Sequence, residues 1–107
     1  MGKAPPIAKR LKQARLQAGL SQKQLGIRAG IDPFSASPRV NQYERAKHTP
    51  DFGTAERLTR VLGLPAAFLY AKEDDLAELI ALFERLPAAA RRKLLAQIRR
   101  SAGKHTK

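Results

Sequence analysis

The chain has 107 residues, enough for one compact domain with a short appendage and too few for a second independent domain. It lacks cysteine, which excludes disulfides, thiolate metal sites and thiol nucleophiles and leaves the fold to packing alone. Its 21 Lys and Arg against 9 Asp and Glu give a formal charge of +12, which favours a polyanionic partner, nucleic acid first, over a charge serving only solubility or lipid binding.

The longest uncharged apolar run, residues 61–71, is broken by Gly63 and Pro65 and is far shorter than the roughly 20 residues that cross a bilayer. The opening Met1-Gly2-Lys3-Ala4-Pro5-Pro6 holds no apolar stretch of signal-peptide length, and Pro6 stands where a myristoylation motif wants Ser or Thr. The expectation is a cytoplasmic protein without membrane attachment.

Residues 1–6 read as a flexible arm. Ile7, Leu11, Ala14 and Ala18 then share one stripe at helical spacing while Lys9, Arg10, Lys12, Gln13 and Gln17 face elsewhere, which predicts an amphipathic helix over 7–18 ended by Gly19. In Leu20-Ser21-Gln22-Lys23-Gln24-Leu25, Ser21 caps a second helix, Gln24 closes a capping box and Leu20 staples to Leu25. Gly30 terminates that helix in a sharp turn. Asp32-Pro33-Phe34-Ser35-Ala36 reads as loop, and Ser37-Pro38 as the N-cap and first position of a third helix to Arg45, with Val40 and Tyr43 inward.

Asp51 caps a fourth helix with an inward stripe of Ala55, Leu58 and Leu62, and Pro65 starts a short fifth through Phe68, Leu69 and Tyr70. Residues 74–85 and 88–101 predict two more helices, the first with Leu76, Leu79, Ile80 and Phe83 on one broad face, the second carrying Leu94, Leu95 and Ile98. Residues 71–90 hold five acids and two bases, whereas 91–107 hold seven bases and no acid. No stretch alternates apolar and polar residues as a strand would. The expected architecture is all-α: a five-helix, repressor-like DNA-binding domain over 7–71, a two-helix extension over 72–101, and a basic disordered tail over 102–107.

Two short helices joined by a tight glycine turn inside a basic helical unit have the outline of a helix-turn-helix, whose second helix enters the major groove. The residues make the outline specific. Ser21-Gln22-Lys23-Gln24-Leu25-Gly26, Gly30-Ile31, Val40, Tyr43-Glu44 and Leu62-Gly63 resemble the pattern of the Cro and phage-repressor type of helix-turn-helix, the XRE-like regulators. The interval from Gly30 to Val40 is longer than that pattern's usual one, which implies an insertion over 32–36. The run Ala36-Ser37-Pro38-Arg39-Val40-Asn41-Gln42-Tyr43-Glu44 is similar to that of a subgroup carrying such an insertion. Gly26 replaces the common Ala; it weakens the second helix by up to about 1 kcal/mol and permits close approach of the third.

The resemblance implies double-stranded DNA as partner and a transcriptional regulator, a repressor on a palindromic operator, as function. It implies that Gln22, with Lys23 beside it, lies against a phosphate at the start of the second helix. Ser37, Arg39, Asn41 and Gln42 on the third helix suit base edges, Arg39 and Gln42 first because spacing puts them on the exposed face. Arg45, Lys47 and His48 follow as phosphate contacts. The resemblance also implies an ion pair between Glu44 and Arg15 that orients the recognition helix. Tyr43, Phe52 and Phe68 are expected in the core, while Phe34, inside the insertion, stays open between core packing and base stacking.

One such motif makes few base contacts, so a homodimer is expected, with the wide apolar face of residues 76–86 as its element; the same hairpin packing on its own domain is an equal reading. An antitoxin-like module that binds a protein partner through the C-terminal helices is the alternative function. His48 and His105 are far apart, with no carboxylates at ligand spacing, so no metal is expected. No phosphate cradle and no nucleophile with its base is present, so neither an enzyme nor a cofactor is expected.

Overall fold

A computed structural model describes residues 5–103. Its elements are α1 (Ile7–Gln17), α2 (Gln22–Arg28), α3 (Pro33–Glu44), α4 (Phe52–Val61), a 3-10 helix (Ala66–Tyr70), α5 (Asp74–Arg85) and α6 (Ala88–Ala102). The fold is all-helical, with no strand among the described residues. Among them no helix is long and apolar enough to cross a membrane. Residues 1–4 of the expected arm and 104–107 of the expected tail lie outside the described residues. Ala102, assigned to the tail by the sequence reading, is the last residue of α6.

The capping chemistry read from the sequence is in place at α2 and α4. Ser21 Oγ accepts from the Gln24 N–H at 3.0 Å and Gln24 Oε1 accepts from the Ser21 N–H at 2.8 Å, so two end groups of α2 satisfy each other. Asp51 Oδ1 accepts from the Thr54 N–H at 2.8 Å. That bond, then the Thr54 hydroxyl and the Arg57 charge, hold the Asp51 carboxyl below its ordinary range, against a smaller opposing effect of burial. Leu11, Leu25, Val40, Leu58 and Leu69, one from each of α1 to α4 and the 3-10 helix, are fully buried and meet in a single core.

The third helix departs from the expectation. It begins at Pro33, not at Pro38, and the segment read as a looped insertion is its first turn. Asp32 is the N-cap, its carboxylate accepting from the Phe34 N–H at 3.0 Å, with Pro33 at the first helical position. Asp32-Pro33 thus carries, five residues earlier, the same cap-and-proline signal as Ser37-Pro38. What selects it is tertiary: extending the helix buries Ala36 against α2. Pro38 then sits inside the helix and cannot donate to the Phe34 carbonyl. Both residues are exposed, so water can serve that carbonyl.

Two further expectations are corrected. Arg10, assigned to the outward face of α1, is fully buried. Its guanidinium donates to the carbonyls of Ala71 (Nε, 2.8 Å) and Lys72 (Nη2, 3.1 Å) and pairs with Asp74 at 3.1 Å, so each buried N–H it turns inward finds a partner. Phe52, expected in the core, is 63% exposed: it is the first residue of α4, and the buried side of that helix begins at Thr54 and Ala55. Tyr43 and Phe68 are buried as expected.

The α5–α6 hairpin packs lightly on this body. Ala77 is its one buried residue among those described, whereas Leu76, Leu79, Leu82, Leu95 and Ile98 remain exposed. Arg91 closes the hairpin: Nε donates to the Phe83 and Leu86 carbonyls, Nη2 to the Glu84 carbonyl, and the guanidinium lies 4.8 Å from the Phe83 ring centre. The radius of gyration is 15.8 Å, against about 13 Å for a compact chain of this size, as a projecting hairpin requires.

Candidate nucleic-acid interface

The unit formed by α2 and α3 is built around a missing side chain. A Cβ on Gly26 would stand 2.7 Å from the Ala36 Cβ and 3.0 Å from the Ala36 backbone, so the two helices approach to a distance only glycine allows. The close approach anticipated for Gly26 is therefore present, and Ala36 is the residue that uses it. Between the helices Gly30 adopts a φ of 94°, and the Ile31 N–H returns to the Gly26 carbonyl at 2.9 Å, ending α2 in a tight corner.

Polar bonds lock the same corner. Arg15 meets Glu44 in a two-pronged pair, Nε to Oε2 at 2.6 Å and Nη2 to Oε1 at 3.0 Å, as the sequence resemblance implied. Arg15 Nη1 also donates to the Leu20 carbonyl, so one side chain fixes α1, the α1–α2 turn and the end of α3. Gln22 Nε2 donates to Asn41 Oδ1 and to Glu44 Oε1, each at 3.1 Å, and Gln22 Oε1 accepts from the Ser37 hydroxyl at 3.5 Å. The start of α2 is thereby bonded to three successive turns of α3.

These bonds sort the candidate residues. Gln22, Ser37 and Asn41 are half-buried and engaged with one another, whereas Lys23, Arg39, Gln42, Arg45, Lys47 and His48 are exposed. With Ala36, Val40 and Tyr43 on the buried side of α3, helical rotation of about 100° per residue puts Phe34, Pro38, Gln42 and Arg45 on the outermost stripe and Arg39 on one flank. Phe34 is 94% exposed. Its role is open in the sequence between core packing and base stacking, and Asp32-Pro33 as a helix start is the signal that places it on this stripe.

Beyond α3 the chain folds back over the helix end. The Lys47 N–H donates to the Gln42 carbonyl at 2.9 Å and the Ala46 N–H to the Tyr43 carbonyl at 3.2 Å, holding Arg45, Lys47 and His48 beside the outer stripe. Residues 21–48 carry five Lys and Arg against two acids, and both acids are occupied, Glu44 by Arg15 and Asp32 by the α3 cap. The surface left to solvent carries a net positive charge, which suits a groove lined with phosphates. Among the described residues no group of His, Asp or Glu is clustered closely enough to hold a metal ion.

Comparison with known proteins agrees with this geometry. Residues 6–69 match the helix-turn-helix domain family. No curated protein matches the chain. The chain is similar to the crystal structure of the transcriptional regulator BswR, with 47% identity and a TM-score of 0.82 over 91% of this chain and 96% of that one. A match of that extent takes in the hairpin as well as the α2–α3 corner. On the family match, which spans more than half of its length, the chain belongs to the helix-turn-helix domain family.

Proposed function

We propose that the chain is a sequence-specific, double-stranded DNA-binding transcriptional regulator of the Cro and phage-repressor type, a cytoplasmic repressor that binds a palindromic operator as a homodimer. The observation that carries this is the presentation of Arg39 and Gln42, exposed on a helix whose other side is fixed by Val40, Tyr43 and the Arg15–Glu44 pair. A base-reading helix needs that rigidity, because hydrogen bonds to base edges tolerate little misplacement. The similarity to a transcriptional regulator at 47% identity supports the same reading.

In this reading Arg39 and Gln42 contact base edges, with Ser37 and Asn41 beside them. Gln22 and Lys23 at the start of α2 and Arg45, Lys47 and His48 after α3 contact phosphates. Gln22 has a double part, since its amide already braces Asn41 and Glu44. For the homodimer, support comes from the exposed Leu76, Leu79, Leu82, Leu95 and Ile98, and from an acidic α5 beside a basic α6 that a second hairpin can complement.

The test is gel-shift or footprinting on DNA flanking the gene, over a range of salt. A specific site should bind at least about a thousandfold tighter than random DNA. Arg39→Ala or Gln42→Ala should relax sequence choice, and Lys23→Ala should weaken all sites alike and flatten the salt slope. Equal affinity for every sequence would sink the regulator reading, and a monomer by sedimentation at operator-saturating concentration would sink the dimer.

A further inference from the structure

Phe34 is the most exposed large apolar residue described, at 94%, and no bond or ring contact within the chain accounts for it. A side chain that could be folded away or replaced by a polar one instead projects from the first turn of α3. It shares the outer stripe with Pro38, also exposed, one helical turn on. The exposed stripe of α3 therefore has two halves: apolar at the N-terminal end, with Phe34 and Pro38, and hydrogen-bonding at the C-terminal end, with Gln42 and Arg45, while Arg39 lies on the flank.

The major groove presents one apolar feature to such a surface, the C5-methyl group of thymine, and Phe is among the side chains that contact it. Recognition helices also place their N-terminal residues nearest the base edges. We infer that Phe34, seated beside Pro38, reads a thymine methyl group in the operator. This rests on the DNA-binding reading above and assigns a residue that the hydrogen-bonding candidates leave out. Phe34 and Gln42 are eight residues apart, about 12 Å along the helix axis. That distance equals three to four base steps at about 3.4 Å each, so the thymine lies no farther than that from the base pair read by Gln42.

The Asp32 cap fixes the first turn from which the ring projects, with the Phe34 N–H itself bonded to the Asp32 carboxylate at 3.0 Å. A ring on a capped helical turn loses less freedom on binding than one on a loop. That turn is the segment whose helical state the Gly26–Ala36 contact enforces.

The experiment selects a preferred duplex from a random pool with the full chain, then replaces each thymine in turn by deoxyuridine, which removes only the methyl group. The wild-type protein should lose about fourfold in affinity at one position, the worth of one buried methyl group. Phe34→Ala should bind the thymine and deoxyuridine duplexes equally at that position, and Phe34→Leu should keep part of the discrimination. Both variants should melt close to the wild-type temperature and keep its salt slope, since the ring is 94% exposed. Full wild-type affinity for every deoxyuridine duplex, or an undiminished loss in Phe34→Ala, overturns the inference while leaving the regulator reading intact. A pool that yields no preferred sequence overturns both.

Discussion

Arg15 and Glu44 face each other with both nitrogens of a planar fork on both oxygens of a carboxylate, across the junction of α1 and the last turn of α3, and little of either side chain reaches solvent. The pair does not touch the outward stripe of α3, so it acts on where the helix lies and not on what the helix reads. Removing one partner leaves the other charge buried without compensation, which costs about 3 kcal/mol or somewhat more. Glu44→Ala should therefore lower the unfolding free energy by about that amount in urea titration. Sequence preference, measured below the new melting temperature, should not change. An unaltered urea midpoint would refute this role. Replacing Arg15 and Glu44 together by Met and Leu should cost less than Glu44→Ala alone, because no orphaned charge remains.

Gly26→Ala sets two opposed effects against each other. Alanine favours a helix by up to about 1 kcal/mol over glycine, whereas its methyl group would enter the space held by the Ala36 Cβ and backbone. Overpacking of this kind costs about 1–3 kcal/mol, and here the obstruction includes backbone, which cannot rotate away. The net expectation is a loss of about 1–2 kcal/mol. Adding Ala36→Gly should recover part of it, since it clears the Cβ but not the backbone contact. Thermal melts of the single and double variants check both statements, and a stabilised Gly26→Ala would mean that α2 and α3 stand farther apart.

How far the sequence foretold this corner depends on the range of each signal. The Ser21–Gln24 capping box, the Gly30 corner and the Asp51 cap are local, and each is found where its residues imply. The choice between Asp32-Pro33 and Ser37-Pro38 as the start of α3 is not local: both offer a cap and a proline, and only the Ala36–Gly26 contact separates them. Arg10 was illegible for a similar reason, because its partners at 71, 72 and 74 lie a whole domain away in sequence. The Gln22 network needed both helices to be placed, so the sequence could suggest an outward role for Gln22, Ser37 and Asn41 but not that they bind one another.

Ala46 is the one described residue other than glycine with a positive φ, 60°, at the close of α3. The conformation lets the Lys47 N–H cap the Gln42 carbonyl, yet it presses the alanine Cβ toward the backbone at a cost of about 1–2 kcal/mol. Ala46→Gly relieves that strain and loses part of the gain to the greater freedom of glycine in the unfolded chain. The variant should be more stable by about 0.5–1 kcal/mol, with DNA affinity unchanged apart from that gain. Chemical denaturation decides it, and a destabilised variant would show that Ala46 is not strained.

Asp51 gives the fold a definite acid dependence. Its carboxylate accepts from the Thr54 N–H and hydroxyl and lies near Arg57, so its folded-state pKa falls below the ordinary 3.8 of an unfolded chain. The folded protein then binds this proton less readily than the unfolded chain does. The stabilisation is accordingly complete above the unfolded value and lost as pH falls through the lower folded value. Asp51→Asn keeps a cap on α4 without the charge. The stability difference between wild type and Asp51→Asn should be constant from neutral pH down to about 5, then shrink progressively below the unfolded pKa. Urea midpoints measured for both proteins over that range test it. A difference that grows on acidification would require the carboxyl to be raised by folding, contrary to the donors that surround it.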